Sequence, residues 1–448
     1  MIEPDERSAL EPLWRAAVRE GLIAFAVVGA VGVIASLAVW LVARPAYGFA
    51  VALRVGAIYL GAFHHVPVRI EGEFDIGELT GGVLPSSDLP TSGSSFVEIG
   101  VALLLVTALA GWLLFRAGGR VADAARGSWM SAALRGAAVA PAYALGVLLV
   151  ALLVRVDEPV RFGRLVEGRL QVSLGTWQAL AFPLLIAAVA GAAGGLWAWL
   201  GSRPDHPRAR AATATLAGGW RTLWVGLALS YVGLFVAGVV QPDEPVAMLT
   251  PSTARYYRTV FERPGVGSAV LGHHLTLAPN EAVWTVVPAM GGCDVVLGGE
   301  DGDVLCYGRF PREAAATPDA EEGRSTFGSA PAPYLLFVLA PAVAAVLGGR
   351  EAARRSGVSG WAGAATGALA GIAFAPMLGA TSLLAGVSLS YGASVGSEAG
   401  GGSLWVGPDI AAAVVLGLVW GVLGGALGGA ASRVRSAAAS RGGRRTPR

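Results

Sequence analysis

Eight apolar runs dominate this chain, each near or above the roughly 20 residues that a helix needs to cross a bilayer core. They are Gly21 to Ala43, Phe96 to Phe115, Gly136 to Val154, Thr176 to Leu200, Trp220 to Val240, Ala330 to Gly348, Gly360 to Ser388 and Ile410 to Ala431. Lipid offers no partner to backbone N–H and C=O groups, so such runs must be helices. The alternating ten-residue strands of a barrel are not seen. Only 14 % of residues are charged and 54 % are hydrophobic, more apolar surface than a water-soluble globule could hide. A net charge of +2 gives no footprint for nucleic acid. All 33 basic residues are arginine, which excludes Schiff-base and P-loop lysine chemistry.

A ninth run, Tyr47 to Phe63, is shorter and carries Arg54 in its middle. As a full span it would place that arginine near the bilayer centre, at about 3 kcal/mol. It reads as a re-entrant or interfacial helix. With eight spans both termini share a side. The segments 1–20, 116–135, 201–221, 349–359 and 432–448 hold 20 arginines and 8 acids. The alternating set 44–95, 155–175, 241–329 and 389–409 holds 13 arginines in twice the length, with 22 acids. Arginine-rich segments stay cytoplasmic. Both termini are therefore expected inside, with a multi-pass chain in the plasma membrane. The tail after Ala431, with six arginines and no acid, reads as a topology anchor on anionic lipid.

The mid-membrane parts of the eight runs carry no ionisable side chain; Glu98 and Arg221 lie near span ends. Proton pumps, voltage sensors and most ion-coupled carriers keep such charges. Prolines offer another route to a site. Pro141, Pro183, Pro341 and Pro376 fall inside four spans. Pro376, followed by Gly379, Thr381 and Ser382, is a candidate broken helix, with a kink satisfied by neighbouring helices as the simpler reading. The proline order of spans three to five recurs in spans six to eight, which would suit an inverted repeat. Glycine shows stronger order. Gly417, Gly421, Gly425 and Gly429 recur every four residues, as do Gly363, Gly367 and Gly371. Such rows predict helix-packing seams, within the chain or between copies.

Catalytic constellations are weak. Gly357-Val358-Ser359-Gly360 resembles the rhomboid serine motif, but no histidine follows it to act as base, and Ser359 reads as a helix start. The pairs His64-His65 and His273-His274 fall in outer segments, and adjacent histidines chelate poorly on a regular helix. Cys293 and Cys306 lie in the segment expected outside; even count and oxidising side favour a disulfide. Gly298-Gly299-Glu300-Asp301-Gly302-Asp303 between them reads as a hairpin turn rather than an EF-hand loop. Val66 to Ile76 alternates like a strand, and Ala315 to Ser329 reads as a loose polar stretch.

The Leu53-Arg54 run ending in His65-Val66-Pro67, the exit Phe115-Arg116-Ala117-Gly118-Gly119-Arg120, and Pro279-Asn280 followed by Trp284 and Gly291-Gly292 give the chain a resemblance to streptophobe-type proteins. These are multi-pass actinobacterial membrane proteins of unknown function. The resemblance implies a helical membrane fold and no activity.

The sequence thus predicts an all-α membrane bundle of about eight spans plus one re-entrant helix, with a small mixed α/β outer region. Its divisions are a cytoplasmic segment 1–20, a first helical part 21–240, an extracytoplasmic region 241–329, a second helical part 330–431 and a basic tail 432–448. The expected role is non-enzymatic, needing no cofactor or metal: organising an envelope process through the outer segments. The expected contacts are membrane lipids, other envelope proteins or a second copy, and no nucleic acid. The alternative is a transporter or flippase for an uncharged or lipid-like substrate, built on proline-broken helices.

Overall fold

The computed structural model describes residues 4–42, 49–75, 92–122, 128–162, 166–203, 205–240, 279–297, 304–306, 309–312, 326–329, 336–395 and 398–432. Its helices are α1 (Pro4–Val42), α2 (Phe49–Ala62), α3 (Leu104–Ala122), α4 (Trp129–Ala137), α5 (Ala140–Leu153), α6 (Thr176–Gly201), α7 (Pro207–Val240), α8 (279–289), α9 (Leu339–Ser356), α10 (Gly360–Ala385) and α11 (Ile410–Ala430). Its strands are β1 (Val68–Asp75), β2 (Ser92–Val101), β3 (Val156–Phe162), β4 (Val166–Leu174), β5 (Cys293–Leu297), β6 (Val304–Cys306), β7 (Arg309–Arg312), β8 (Thr326–Ser329), β9 (Val387–Val395) and β10 (Glu398–Pro408).

Among the described residues, seven stretches are long and apolar enough to cross a membrane: 12–38 within α1, α3, α4 with α5, α6, 336–356 with α9, α10 and α11. The remaining run, Trp220 to Val240, lies in α7. Residues 223–240 of α7 are apolar and carry no charge, so this helix remains the eighth expected span. The Arg54 run forms only the 14-residue α2. At 1.5 Å per residue that is about 21 Å, short of a roughly 30 Å core.

Two segments expected to be something else are strands. Phe96 to Val101, taken as the start of a span, belongs to β2, and α3 begins only at Leu104. The segment 389–409 is the hairpin β9–β10. These strands join the other arginine-poor segments in one antiparallel sheet. An eight-stranded antiparallel sheet runs in the order β3-β4-β1-β2-β9-β10-β5-β6, with β7 and β8 paired apart. All four arginine-poor segments contribute strands to it. The helices leave it at one end of the bundle: α3 follows β2, α6 follows β4, β9 follows α10 and α11 follows β10, each within three residues. The edge strand β3 carries Pro159, a residue confined to edges because it cannot donate to a ladder.

The strand order contains the same four-strand pattern twice. Substituting β5, β6, β9 and β10 for β1, β2, β3 and β4 turns the first half of the sheet into the second. The helices follow suit, with α1, α2, α3, α4–α5 and α6 matching α7, α8, α9, α10 and α11. Local bonds repeat in detail. After each short helix an N–H reaches back five residues, Val66 to the Gly61 carbonyl and Gly292 to the Val287 carbonyl. The residue before it is left-handed in both, His65 at φ 61° and Gly291 at φ 99°. Gly175 donates to the Pro67 carbonyl, 3.0 Å, and Asp409 to the Cys293 carbonyl, 2.9 Å. Ser128 and Ser359 occupy the N-caps of α4 and α10.

The chain is therefore two tandem units in parallel orientation, meeting where β2 pairs with β9 from Gly93↔Val395 to Val101↔Val387. This replaces the inverted arrangement of span triplets. The two units divide at the α6–α7 turn. One core packs α1, α2, α3, α5 and α6 around Leu114 and Tyr143. Another packs α7, α8, α10 and α11 around Val283, Val287 and Leu378.

Candidate functional site

Glycine sets how closely the helices approach. Gly363, Gly367 and Gly371 on α10 stand against Gly429, Gly425 and Gly421 on α11 in antiparallel order. A β-carbon at Gly421 would lie 2.7 Å from Gly371 Cα, and one at Gly425 would lie 3.0 Å from the Gly367 carbonyl carbon. Gly417 is looser, 3.3 Å from Ala375 Cα. The first unit uses the same device: Gly191 faces Gly136, and Gly195 faces Ala132 at 3.0 Å. The motif is readable once seen, Gly191-Ala-Ala-Gly194-Gly195 against Gly425-Ala-Leu-Gly428-Gly429. Helix α10 runs unbroken through Pro376, which lies on its exposed face, so no unwound segment forms there.

Above the bundle, the first unit carries a groove of about 830 Å³ where β1, β2 and β4 meet α5 and α6. Arg69, Arg155, Glu71, Glu98, Gln171 and Gln178 supply its polar wall, while Leu148, Leu174 and Leu180 lie among its apolar lining. Arg69 Nε sits 2.6 Å from Glu71 Oε1, with its guanidinium 4.8 Å from the Phe96 ring centre. Such a wall offers charges of both signs beside an apolar floor.

Of the predicted histidines, His64 is fully buried. Its Nδ1–H donates to the Leu60 carbonyl at 2.7 Å. A carbonyl can only accept, so Nε2 is unprotonated and accepts from the Tyr143 hydroxyl at 2.6 Å. Both ring nitrogens are thereby committed, and burial pushes the imidazole down to about 4. Burial lowers His65 as well. His273 and His274 lie outside the described residues. In the second unit the matching positions are Met290 and Phe374, an apolar pair in the core. The units differ chemically at this point.

The antiparallel register sets Cys293 directly opposite Cys306. The turn between them, 298–303, lies outside the described residues, as does the basic tail 433–448. Next to Cys293 stands Asp294, 4 % exposed, with neither carboxylate oxygen hydrogen-bonded among the described residues. Burial holds its pKa well above the usual carboxylate range. Sequence reasoning gave no role to Asp294, Tyr143 or Asn280, although Pro279-Asn280 carries part of the resemblance. Asn280 is a joint between the units: from α8 its Nδ2 donates to the Ala102 carbonyl at 2.7 Å, and its Oδ1 accepts from Leu104 N–H at 3.1 Å. It thus ties the second unit to the start of α3. No family model, curated protein or solved structure matches the chain.

Proposed function

We propose that this is a non-enzymatic multi-pass plasma-membrane protein that organises an envelope process through its eight-stranded sheet. Both termini lie in the cytoplasm, and the sheet faces outward to meet lipid headgroups, envelope proteins or a second copy. The observation that carries this reading is the gathering of all four arginine-poor segments into one sheet at one end of the bundle. Closely packed glycine faces and an unbroken α10 support a structural role over transport, since a carrier built on a broken helix would need an opening beside Pro376. Cys293 and Cys306, paired across β5 and β6, form a disulfide that pins the sheet's far edge.

The test labels intact cells with an impermeant maleimide. The native chain should stay unlabelled until reductant is added. Ser403→Cys, on exposed β10, should label without reductant, and Ser128→Cys at the start of α4 should not. An outer cross-linker applied through Ser403→Cys should then capture a defined envelope partner. Labelling of Ser128→Cys from outside would reverse the orientation. Free reaction of the native cysteines would remove the disulfide.

A further inference from the structure

Register brings four residues of the first unit into one row across the sheet. Arg69 on β1 stands opposite Glu98 on β2 and opposite Ser173 on β4. Continuing the β3–β4 register one residue beyond Val156↔Val172 sets Arg155 opposite Ser173. Directly paired residues share a sheet face, and all four line the groove of about 830 Å³. The row reads Glu98, Arg69, Ser173, Arg155, three strand spacings or about 14 Å between its outer Cα atoms. The bonds that align the units put Val304, Val295, Gly407 and Gly386 at these positions in the second unit. That unit builds the same strands with no charge in the row, so the charges are not what the fold requires.

Two of the groove's charges answer each other. Arg69 Nε lies 2.6 Å from Glu71 Oε1, two residues along the same strand face. Arg155 at one end of the row and Glu98 at the other have no ion-pair partner among the described residues. Just past Ser173, Gly175, Thr176, Trp177 and Gln178 also line the groove, and no side chain caps the first turn of α6 that they open. The free N–H groups and partial positive charge of that turn favour an anion beside the arginine. At the other end the carboxylates of Glu98 and Glu71 favour a cation that donates hydrogen bonds. A quaternary ammonium needs an open aromatic face instead. Phe96, paired with Glu71 across the strands, has its ring covered by the Arg69 guanidinium at 4.8 Å. Below the polar wall, Leu148 and Leu180 line the floor. Exposed leucines lead away from it, Leu153, Leu149 and Leu145 along α5 and Leu184 along α6. Exposed Trp177 stands at the level of the groove, as interfacial tryptophans do.

We infer that the groove holds one phosphatidylethanolamine lipid. Its phosphate lies at Arg155 and the α6 N-terminus, its primary ammonium at Glu98 and Glu71, and its acyl chains along α5 and α6. Phosphate and ammonium are two carbons apart, and the long Arg155 and Glu98 side chains have the length to cover the rest of the row. This site rests on the reading of the sheet as a surface for lipid headgroups, and narrows it to one headgroup in one place.

The test uses the full-length protein purified in detergent, with bound lipid counted by native mass spectrometry. Dioleoyl phosphatidylethanolamine, phosphatidylcholine and phosphatidylglycerol are offered in equal amounts. The ethanolamine lipid should be retained at one per chain, about tenfold over either competitor. Arg155→Gln should weaken its binding about tenfold. Glu98→Gln should remove the preference over the glycerol lipid. Arg169→Gln, outside the groove and paired with Asp157, should change nothing. Glycerophosphoethanolamine, the same headgroup without acyl chains, should not displace the lipid. Equal retention of the three lipids, unchanged binding in Arg155→Gln, or displacement by the deacylated headgroup overturns the proposal. Arg155 is exposed, so its variant should fold. Should Glu98→Gln fail to fold, the lipid ranking and Arg155→Gln decide. Binding in detergent does not depend on which side the sheet faces. Selective binding together with outside labelling of Ser128→Cys would therefore support the site and overturn only the orientation.

Discussion

The His64–Tyr143 hydrogen bond is where a single residue pair distinguishes the two units. Tyr143→Phe removes the donor and leaves a buried acceptor nitrogen, which should cost about 1–3 kcal/mol. The second unit suggests the remedy, since Met290 and Phe374 fill the matching space without polar atoms. The double variant His64→Met with Tyr143→Phe should therefore recover much of that loss, and a double-mutant cycle on Tm measures the coupling. The same pair sets a pH dependence. His64 titrates near 4 in the folded chain, below its ordinary value near 6.5, so the unfolded chain binds the extra proton first. Its contribution is complete above about pH 6.5 and is lost as pH falls toward 4, by roughly 3 kcal/mol in total. The double variant should flatten that slope in a Tm-against-pH series. An unchanged slope would mean that His64 is not the titrating group. None of this was legible from sequence, because a histidine 79 positions from its tyrosine gives no periodic signal.

Helices and strands differ in how plainly the chain announces them. Spans with glycine every fourth residue were readable, since spacing alone puts Gly363, Gly367 and Gly371 on one face. Phe96 to Val101 was not, because a half-buried strand running straight into a helix shares one continuous apolar stretch. Segment 389–409, rich in glycine and serine, has weak strand propensity, and pairing between β2 and β5 decides its form. The glycine rows invite a direct comparison. Gly371→Val would drive a side chain into the Gly421 backbone and should destabilise by about 3 kcal/mol or more. Gly111→Ala, on a helix with open space beside it, should be neutral or stabilise by up to about 1 kcal/mol. Equal melting temperatures for the two variants would show that α10 and α11 do not meet through these faces.

At the scale of the molecule, duplication explains why one sheet can collect four separate segments. Each unit returns the chain to its starting side before the next begins, so both place their hairpins at the same end. The link between units is short, from Gly201 to Pro207, and lies away from the sheet. What joins the units is largely noncovalent: the β2–β9 ladder, the Ser94–Ser394 hydroxyl contact at 2.8 Å, and Asn280 bridging to Ala102 and Leu104. A chain cut between Ser202 and Asp205, with its halves co-expressed, should therefore reassemble and co-purify through a tag on one half. Asn280→Ala would strand a buried carbonyl and a buried N–H at the start of α3, each worth about 1–3 kcal/mol. In the cut protein that loss falls on association, where about 1.4 kcal/mol is tenfold. Recovery of the untagged half should drop by roughly tenfold or more, while the uncut Asn280→Ala chain still folds, because its halves remain tethered. Halves that never co-purify, or recovery indifferent to Asn280, would mean that the junction is held by contacts other than these.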